Sequence, residues 1–173
     1  MIRGFWLVCA VAALPSPAGA EVKSATPEGF EVENKAVVAA TPADAYAALG
    51  RVGEWWNGDH SYSGDARNMS LELEAGGCFC ETIPADGGTI EHMRVVQARP
   101  GAMLRLQGGL GPLQAEAAMG TLTWSLKPVA GGTEITQTYV VGGHVRGGAG
   151  KLAPIVDKVL AEQLAGLGRR LAK

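Results

Sequence analysis

The chain is poor in charged and aromatic residues and has few residues that commonly bind metals. Charged residues make up 18% of its 173 residues and aromatic residues 6%, and it has three cysteines and three histidines. The 15 basic and 17 acidic residues give a net charge of −2, with no basic patch or block of like charge. We therefore expect neither nucleic-acid binding nor a charged disordered tail.

Sequence motifs for several common chemistries are also missing. The chain has no glycine-rich nucleotide-binding motif, no zinc motif of standard spacing and no hydrolase triad. We accordingly predict that the protein holds neither a metal ion nor a cofactor.

The N-terminal apolar run is too short to cross a bilayer. Residues 4–14 form a run of 11 residues after Arg3, whereas a transmembrane helix needs about 20. Ala18 and Ala20 provide the small residues of a cleavage site. We predict a signal peptide over residues 1–20 and export to the periplasm or the medium without a stable membrane anchor. An uncleaved N-terminal anchor is the alternative.

Removal of residues 1–20 leaves 173 − 20 = 153 residues, which is enough for one domain and too few for two. Residues 21–29 are polar and contain proline, so we expect them to be a flexible leader. The single domain then spans residues 30–173.

Alternating apolar and polar residues predict a series of strands with turn residues between them. The predicted strands cover residues 30–40, 70–74, 78–83, 89–98, 103–107, 120–128 and 133–141. After the first strand, Thr41 and Pro42 form a capping signal for a short helix that ends at Leu49. A second short helical turn follows and carries Trp55 and Trp56.

The C-terminal stretch from Leu152 to Leu171 predicts a long amphipathic helix. Its apolar residues at helical spacing are Leu152, Ile155, Val156, Val159, Leu160, Leu164, Leu167 and Leu171. Such a helix needs an apolar surface to lie on, and only the strands provide one. The fold class is therefore α+β: a curved antiparallel sheet of about seven strands wrapped around the long helix, with two short helices after the first strand.

This order of elements resembles the START-like helix-grip superfamily, also called SRPBCC, which includes polyketide cyclases and activators of a chaperone ATPase. The segments that carry the resemblance are residues 41–46, 55–56, 75–79, 95–100, 132–136 and 156–157, with Leu104. The resemblance implies a cavity between sheet and helix that takes a small apolar molecule. It does not imply a reaction, because the superfamily holds binders, carriers and enzymes.

We therefore predict an exported protein that binds a hydrophobic ligand, such as a lipid, in this cavity. The predicted ligand-binding residues are Trp55, Trp56, Leu71, Leu73, Phe79, Leu104, Leu106, Trp124, Gln137, Tyr139, Leu160 and Leu164. The glycine-rich segment 108–114 is either a lid or a loop whose Leu110 and Leu113 pack at the edge of the core. The sequence identifies neither the ligand nor the oligomeric state.

Two other function classes remain open. A cyclase, dehydratase or hydrolase would need an acid or base in the cavity, and Glu81, His92 and Tyr139 are the candidates. Glu81 could equally form a structural pair with His92 or Arg94. A protein-interaction module would instead need an external binding surface.

Cys78, Cys80 and His92 form the densest cluster of reactive side chains. If Ile83 pairs with Thr89, Cys80 lies opposite His92 on one face of a hairpin, where the three groups could bind a metal or provide an activated thiol. The alternative is that they are ordinary strand residues. We expect no Cys78–Cys80 disulfide, because residues i and i+2 of a regular strand lie roughly 6.5 Å apart or more.

Overall fold

The computed structural model describes residues 19–172, with side chains from residue 21 onward. The predicted signal peptide lies outside the described residues except for Gly19 and Ala20. No helix in the described part of the chain is long and apolar enough to cross a membrane.

Eight antiparallel strands form one sheet. They are β1 (Gly19–Thr26), β2 (Gly29–Val38), β3 (Met69–Leu71), β4 (Cys78–Ile83), β5 (Gly88–Arg99), β6 (Met103–Gly108), β7 (Ala117–Val129) and β8 (Gly132–His144). Their order in the sheet is β1-β2-β8-β7-β6-β5-β4-β3. From β3 to β8 each strand pairs with the next in the chain, as expected for strands joined by short turns.

Two α-helices complete the fold, α1 (Pro42–Leu49) and α2 (Ala153–Leu171). The predicted cap of α1 is present, since the Asp44 backbone N–H donates to Thr41 Oγ1 at 3.1 Å and Pro42 opens the helix. Short 3₁₀ turns cover Val52–Glu54, Gly58–His60, Ala66–Asn68, Gly111–Ala115 and Ala149–Lys151. The α+β helix-grip prediction is confirmed.

Residues 21–29 are not a flexible leader, and this prediction is wrong. Most of the segment belongs to β1, which forms a hairpin with β2 in which Val22 pairs with Val32 and Thr26 with Gly29. Val22 and Ala25 give the segment enough apolar character for an edge strand, but its polar residues and Pro27 obscured the pattern. Pro27 in fact lies in the tight turn, where proline is favoured.

The apolar stripe of α2 divides into two parts along the helix. Leu160, Leu164 and Leu167 are at most 1% exposed and pack into the core, whereas Ile155 is 63% exposed. Three apolar residues of the first half of α2 are therefore not fully packed in the core: Ile155 is exposed, and Val156 and Val159 are half-buried.

Leu164 and Ile155 provide a matched test of this division. We expect Leu164→Ala to lower the free energy of unfolding by about 2 to 5 kcal/mol, because it opens a cavity in a packed core. Ile155→Ala on the same helix should lower it by less than about 0.5 kcal/mol, as is usual for surface positions. Urea denaturation measures both changes, and equal losses would contradict the division.

Candidate functional site

A cavity of about 460 Å³ lies between the first half of α2 and two loops of the opposite wall. Its walls are mostly apolar, with a few polar side chains. The residues that line it are Trp56, Asp59, His60, Ser61, Tyr62, His92, Leu110, Gly111, Pro112, Leu152, Ile155, Val156, Val159 and Leu160. Its volume falls within the range of roughly 300 to 1,000 Å³ that is typical of small-molecule sites.

A β-bulge brings His92 to this cavity. Phe79 pairs with Met93, but the next residue of β4, Cys80, pairs with Glu91, so His92 is the extra residue of β5. In a regular strand His92 and Met93 would face opposite sides of the sheet, whereas here both are buried. The predicted pairing of Cys80 with His92 is therefore wrong, because Ile83 pairs with Gly88 and the hairpin is one residue out of the expected register.

Gly108 makes room for this bulge on the neighbouring strand. A Cβ atom at this position would lie 2.5 Å from the His92 carbonyl oxygen and 2.8 Å from the Met93 Cα, and the backbone φ is +154°. Only glycine fits such a close approach without displacing the backbone of the next strand. The glycine-rich segment thus begins where the site needs a residue without a side chain.

Buried Glu81 holds His92 in place. His92 Nε2 lies 2.9 Å from Glu81 Oε2, and the side chains are 4% and 0% exposed. The backbone N–H groups of Tyr62 and Ser63 also donate to the carboxylate, at 3.1 and 2.5 Å. The structural pair that the sequence offered as one alternative for Glu81 is thus present, with His92 rather than Arg94.

The pKa values of both groups lie below their ordinary values. Burial opposes the charged form of Glu81, but hydrogen bonds from Ser63, Tyr62 and His92 outweigh it and lower the pKa. Burial lowers the pKa of His92, and the Glu81 carboxylate only partly offsets this effect. Near neutral pH the pair is therefore an ionised carboxylate and a neutral imidazole.

The second ring nitrogen of His92 is left for a ligand. Because a carboxylate only accepts hydrogen bonds, the neutral imidazole carries its proton on Nε2 and its lone pair on Nδ1. Among the described residues no group donates to Nδ1, and the His92 ring lines the cavity. Tyr62 and Phe79 flank the ring, with ring centroids 5.9 and 5.0 Å from it. The cavity thus has one buried hydrogen-bond acceptor in a fixed orientation.

One wall of the cavity is attached to α2 by polar contacts. The Asn57 backbone N–H donates to Gln163 Oε1 at 2.7 Å, and its side-chain Nδ2 donates to Glu162 at 2.5 Å. His60 Nε2 lies 3.1 Å from the same Glu162 carboxylate. These contacts hold the loop that carries Ser61 and Tyr62 against the helix.

The opposite loop is held by Tyr139 and linked across the cavity by Tyr62. The Tyr139 hydroxyl accepts from the Leu110 N–H at 3.2 Å and donates to the Gly108 carbonyl at 3.3 Å. The Tyr62 hydroxyl donates to the Gly111 carbonyl at 2.9 Å and so joins the two loops. Half-buried Leu110 lines the cavity, whereas Leu113 is 1% exposed and packs in the core, as one of the two alternatives for this segment predicted.

The structure joins Cys78 and Cys80 by a disulfide, so the prediction of no disulfide is wrong. Their Cα atoms are 5.4 Å apart, which is shorter than in a regular strand and within the range that a disulfide spans. The bulge in the β4–β5 pairing begins at Cys80, where regular strand spacing no longer applies. No group of three metal-binding side chains occurs in the region described.

Three of the predicted site residues line the cavity, namely Trp56, His92 and Leu160. Glu81 does not line the cavity, but it contacts His92, which does. The other predicted residues are buried or half-buried in the packed core without lining the cavity: Trp55, Leu71, Leu73, Phe79, Leu104, Leu106, Trp124, Gln137, Tyr139 and Leu164. The open space is therefore at one end of α2, not along the whole interface between sheet and helix.

Gln137 and Tyr139 use their polar groups within the protein. With the Gln137 amide oriented to satisfy both of its groups, the oxygen accepts from Trp124 Nε1 at 3.1 Å and the nitrogen donates to the Leu160 carbonyl at 3.0 Å. Burial raises the pKa of Tyr139 to about 12, so its hydroxyl stays protonated near neutral pH. The polar groups of both side chains therefore have their hydrogen-bond partners within the protein.

Several lining residues were not predicted as site residues: Ser61, Tyr62, Pro112, Ile155, Val156 and Val159. The apolar residues of α2 were identified as a stripe, but the helical pattern does not distinguish a core face from a cavity face. Tyr62 lies in a polar loop, and its only sequence signal was an aromatic residue among small polar ones.

Acid titration tests the Glu81–His92 pair. Both pKa values are lower in the folded state, so the pair stabilises the fold above the unfolded pKa values, about 6.5 for His and 4.3 for Glu, and this stability is lost as the pH falls. We expect the free energy of unfolding to decrease from about pH 6.5 downward. His92→Gln should flatten the profile between about pH 6.5 and 5, whereas replacement of exposed His144 by Gln should not. Urea denaturation across this range gives both profiles; parallel curves for wild type and His92→Gln would refute the assignment.

A family model described as polyketide cyclase/dehydrase and lipid transport matches residues 29–172. No curated protein is similar enough to match the chain. A protein from Rhodobacter sphaeroides has 21% identity and a TM-score of 0.55, over 89% of this chain and 98% of its own. CalU16 from Micromonospora echinospora has 11% identity and a TM-score of 0.59, over 92% of this chain and 87% of its own.

The di-domain ARO/CYC StfQ from the steffimycin biosynthetic pathway has 16% identity and a TM-score of 0.55, and the match covers 84% of this chain and 51% of StfQ. At these identities the solved structures show a common fold and nothing finer. The family model, by contrast, covers most of the chain, including every residue of the cavity. The chain therefore belongs to the polyketide cyclase/dehydrase and lipid transport family and has the START-like fold that its sequence resembles.

Proposed function

We propose that this is an exported protein that binds one small apolar molecule in the cavity at the first half of α2. The observation that carries the proposal is a mostly apolar cavity of about 460 Å³ with a single buried imidazole in a fixed orientation. Apolar walls favour a hydrophobic molecule, and a few placed polar groups give it orientation.

The polar group of the ligand follows from the state of His92. A neutral imidazole with Nδ1 unprotonated accepts a hydrogen bond, so the matching ligand presents a hydroxyl or N–H group at the depth of His92. Burying such a group against the apolar walls of the cavity would leave it without a partner, which costs about 1 to 3 kcal/mol. The site should therefore prefer a phenol or alcohol to a hydrocarbon of the same shape.

Export is supported by the N-terminal sequence, namely Arg3, the apolar run 4–14 and the small residues Ala18 and Ala20. N-terminal sequencing of protein exported by its host tests this part separately. A chain that begins at Glu21 supports it, and an intact, membrane-attached chain contradicts it.

A cyclase or dehydratase is the second candidate, and the orientation of His92 by Glu81 favours it. A neutral imidazole held by a carboxylate is suited to removing a proton from a bound molecule as a general base. Tyr139 is a poor partner in such a reaction, because its hydroxyl is already bonded to the 108–110 backbone. Liquid chromatography with mass spectrometry of the ligand before and after incubation separates the candidates. A binder releases the ligand unchanged, a dehydratase releases a product that has lost water, and a cyclase that only closes a ring releases an isomer of equal mass and different retention time.

The first binding prediction concerns the cavity volume. We expect Val156→Trp to weaken binding of the uncharged fluorescent probe N-phenyl-1-naphthylamine at least tenfold, about 1.4 kcal/mol, because Val156 lines the cavity. Lys158→Trp, two residues along α2 and exposed, is the matched control and should bind as wild type does. Probe emission titrations measure both. Equal binding by all three proteins, or no binding by wild type, would refute the cavity as a binding site.

The second binding prediction concerns His92. Wild type should bind 2-naphthol more tightly than naphthalene by roughly tenfold, as expected for one hydrogen bond of about 1.4 kcal/mol. His92→Phe removes the acceptor and should abolish this preference while naphthalene binding stays within about threefold of wild type. Competition against the fluorescent probe gives both affinities. A preference that survives in His92→Phe would show that another group recognises the hydroxyl.

A further inference from the structure

Buried Asn34 on β2 and half-buried Asp157 on α2 carry inaccessible polar atoms that have no hydrogen-bond partner in the part of the chain that the structure describes. Asn34 is 0% exposed, and neither its amide oxygen nor its amide nitrogen makes a hydrogen bond within the described residues. The same holds for Oδ1 of Asp157. Buried polar atoms are nearly always paired, so a cluster of three such atoms indicates a missing donor or acceptor.

The backbone of β1 lies beside this cluster. Asn34 is opposite Ala20 in the β1–β2 pairing, and Glu21 is the next residue of β1. Asp157 lies on α2, which packs against both β1 and β2. The Asn34 amide and the Glu21 backbone N–H lie close enough to the Asp157 carboxylate to favour the ionised form, although Oδ1 itself has no partner at hydrogen-bond distance among the described residues. The peptide bond between Ala20 and Glu21 therefore lies next to the unpaired atoms.

We propose that cleavage of the Ala20–Glu21 peptide bond creates an α-ammonium group on Glu21 that forms an ion pair with Asp157 and donates to the Asn34 amide oxygen. This inference rests on the proposed export. In the cleavage step a protease of the signal-peptidase class adds water across the bond: the hydroxyl joins the Ala20 carbonyl carbon, and a proton joins the Glu21 nitrogen. A further proton from solvent gives the ammonium.

The new terminus supplies hydrogen-bond donors, which the two unpaired oxygens of the cluster, Asn34 Oδ1 and Asp157 Oδ1, lack in the described part of the chain. The amide at Glu21 offers one donor and no charge, whereas the ammonium offers three donors and a positive charge. Burial raises the pKa of Asp157, although the Asn34 amide and the Glu21 N–H favour its ionised form. A cation at the position of Glu21 N would compensate for the burial, since an opposite charge at hydrogen-bond distance stabilises a carboxylate.

The new contact would also stabilise the wall of the cavity. Asp157 follows Val156 directly, and Val156 lines the cavity from the other side of the same turn of α2. An ion pair between Asp157 and the start of β1 would hold this turn against the sheet. The chain before cleavage lacks that pair, so removal of the signal peptide would complete the binding site.

Few other charges lie near the new terminus. The Glu21 carboxylate is the other charged group that acts on Asp157, and it disfavours the ionised form. On the solvent side Lys23 bonds to Glu21 Oε2 at 2.9 Å and lies 3.8 Å from Glu33. Lys23 therefore competes with the ammonium for the Glu21 carboxylate and has no contact with Asp157.

The test uses the full chain, expressed with its own leader, exported and purified. N-terminal sequencing first establishes where the mature chain begins. Its α-amino group is then dimethylated with ¹³C-formaldehyde, which preserves the charge and one N–H donor, and its pKa is measured by NMR titration. We expect a value at least one unit above the ordinary range of about 7.7 to 8.0, a tenfold shift in the protonation equilibrium. Asp157→Asn should restore an ordinary value, and Glu28→Gln, an exposed residue of the same hairpin, should not.

The second readout is the free energy of unfolding of the wild-type protein as a function of pH. It does not depend on whether a substituted protein folds. Because the pKa of the ammonium is raised in the folded state, its contribution is complete below about pH 7.7 and is lost as the pH rises through the folded value. Wild type should therefore lose stability between about pH 8 and 10, and acetylation of the terminus should remove this loss. An intact chain that still carries residues 1–20 overturns the export proposal and this inference together, whereas an exported chain cleaved at a different bond overturns this inference alone. A chain that begins at Glu21 with an ordinary α-amino pKa overturns this inference alone and leaves ligand binding untouched.

Discussion

Glu81 places a carboxylate beside an apolar cavity, and a buried charge of this kind is costly unless hydrogen bonds compensate for it. Two backbone N–H groups, from Tyr62 and Ser63, and the His92 ring provide that compensation. The same contacts fix three parts of the site at once: the loop that carries Tyr62, the strand that carries Glu81, and the imidazole. The carboxylate therefore acts as the common anchor of the cavity, and its role is to orient other groups.

The β5 bulge allows this anchor to exist. Without it, His92 would point to the outer face of the sheet, and Glu81 would be left with backbone donors alone. On the outer face the bulge brings Glu91 and Arg94 close enough to form an ion pair, although residues three apart in a regular strand face opposite sides. The Cys78–Cys80 disulfide lies in β4, directly opposite the bulge in β5. Contacts on both faces thus favour the bulged register.

Elements with a strong local pattern were predictable from the sequence, and the site was not. Thr41 and Pro42 identified the start of α1, and alternation identified seven of the eight strands. Glu81 and His92 were identified as candidates from residue type and strand face, but their contact depends on a bulge that leaves no local pattern. A shift of one residue in register reverses which face of the sheet a side chain occupies. The predicted position of His92 depended on the register, and the expectation of no disulfide depended on regular strand spacing, so the bulge affected both.

The walls of the cavity differ in the number of hydrogen bonds that hold them. The sheet is continuous hydrogen-bonded structure, and the first half of α2 is attached to the loop around Asn57 by contacts with Glu162 and Gln163. The link across the mouth is a single neutral hydrogen bond from exposed Tyr62 to the Gly111 carbonyl, worth about 0.5 to 1.5 kcal/mol. Gly111 has a φ of +54°, and its loop has the backbone freedom that opening requires. By contrast, the Glu81–His92 contact is buried and is supported by the backbone N–H groups of Tyr62 and Ser63. The base of the cavity is therefore held by more hydrogen bonds than its mouth.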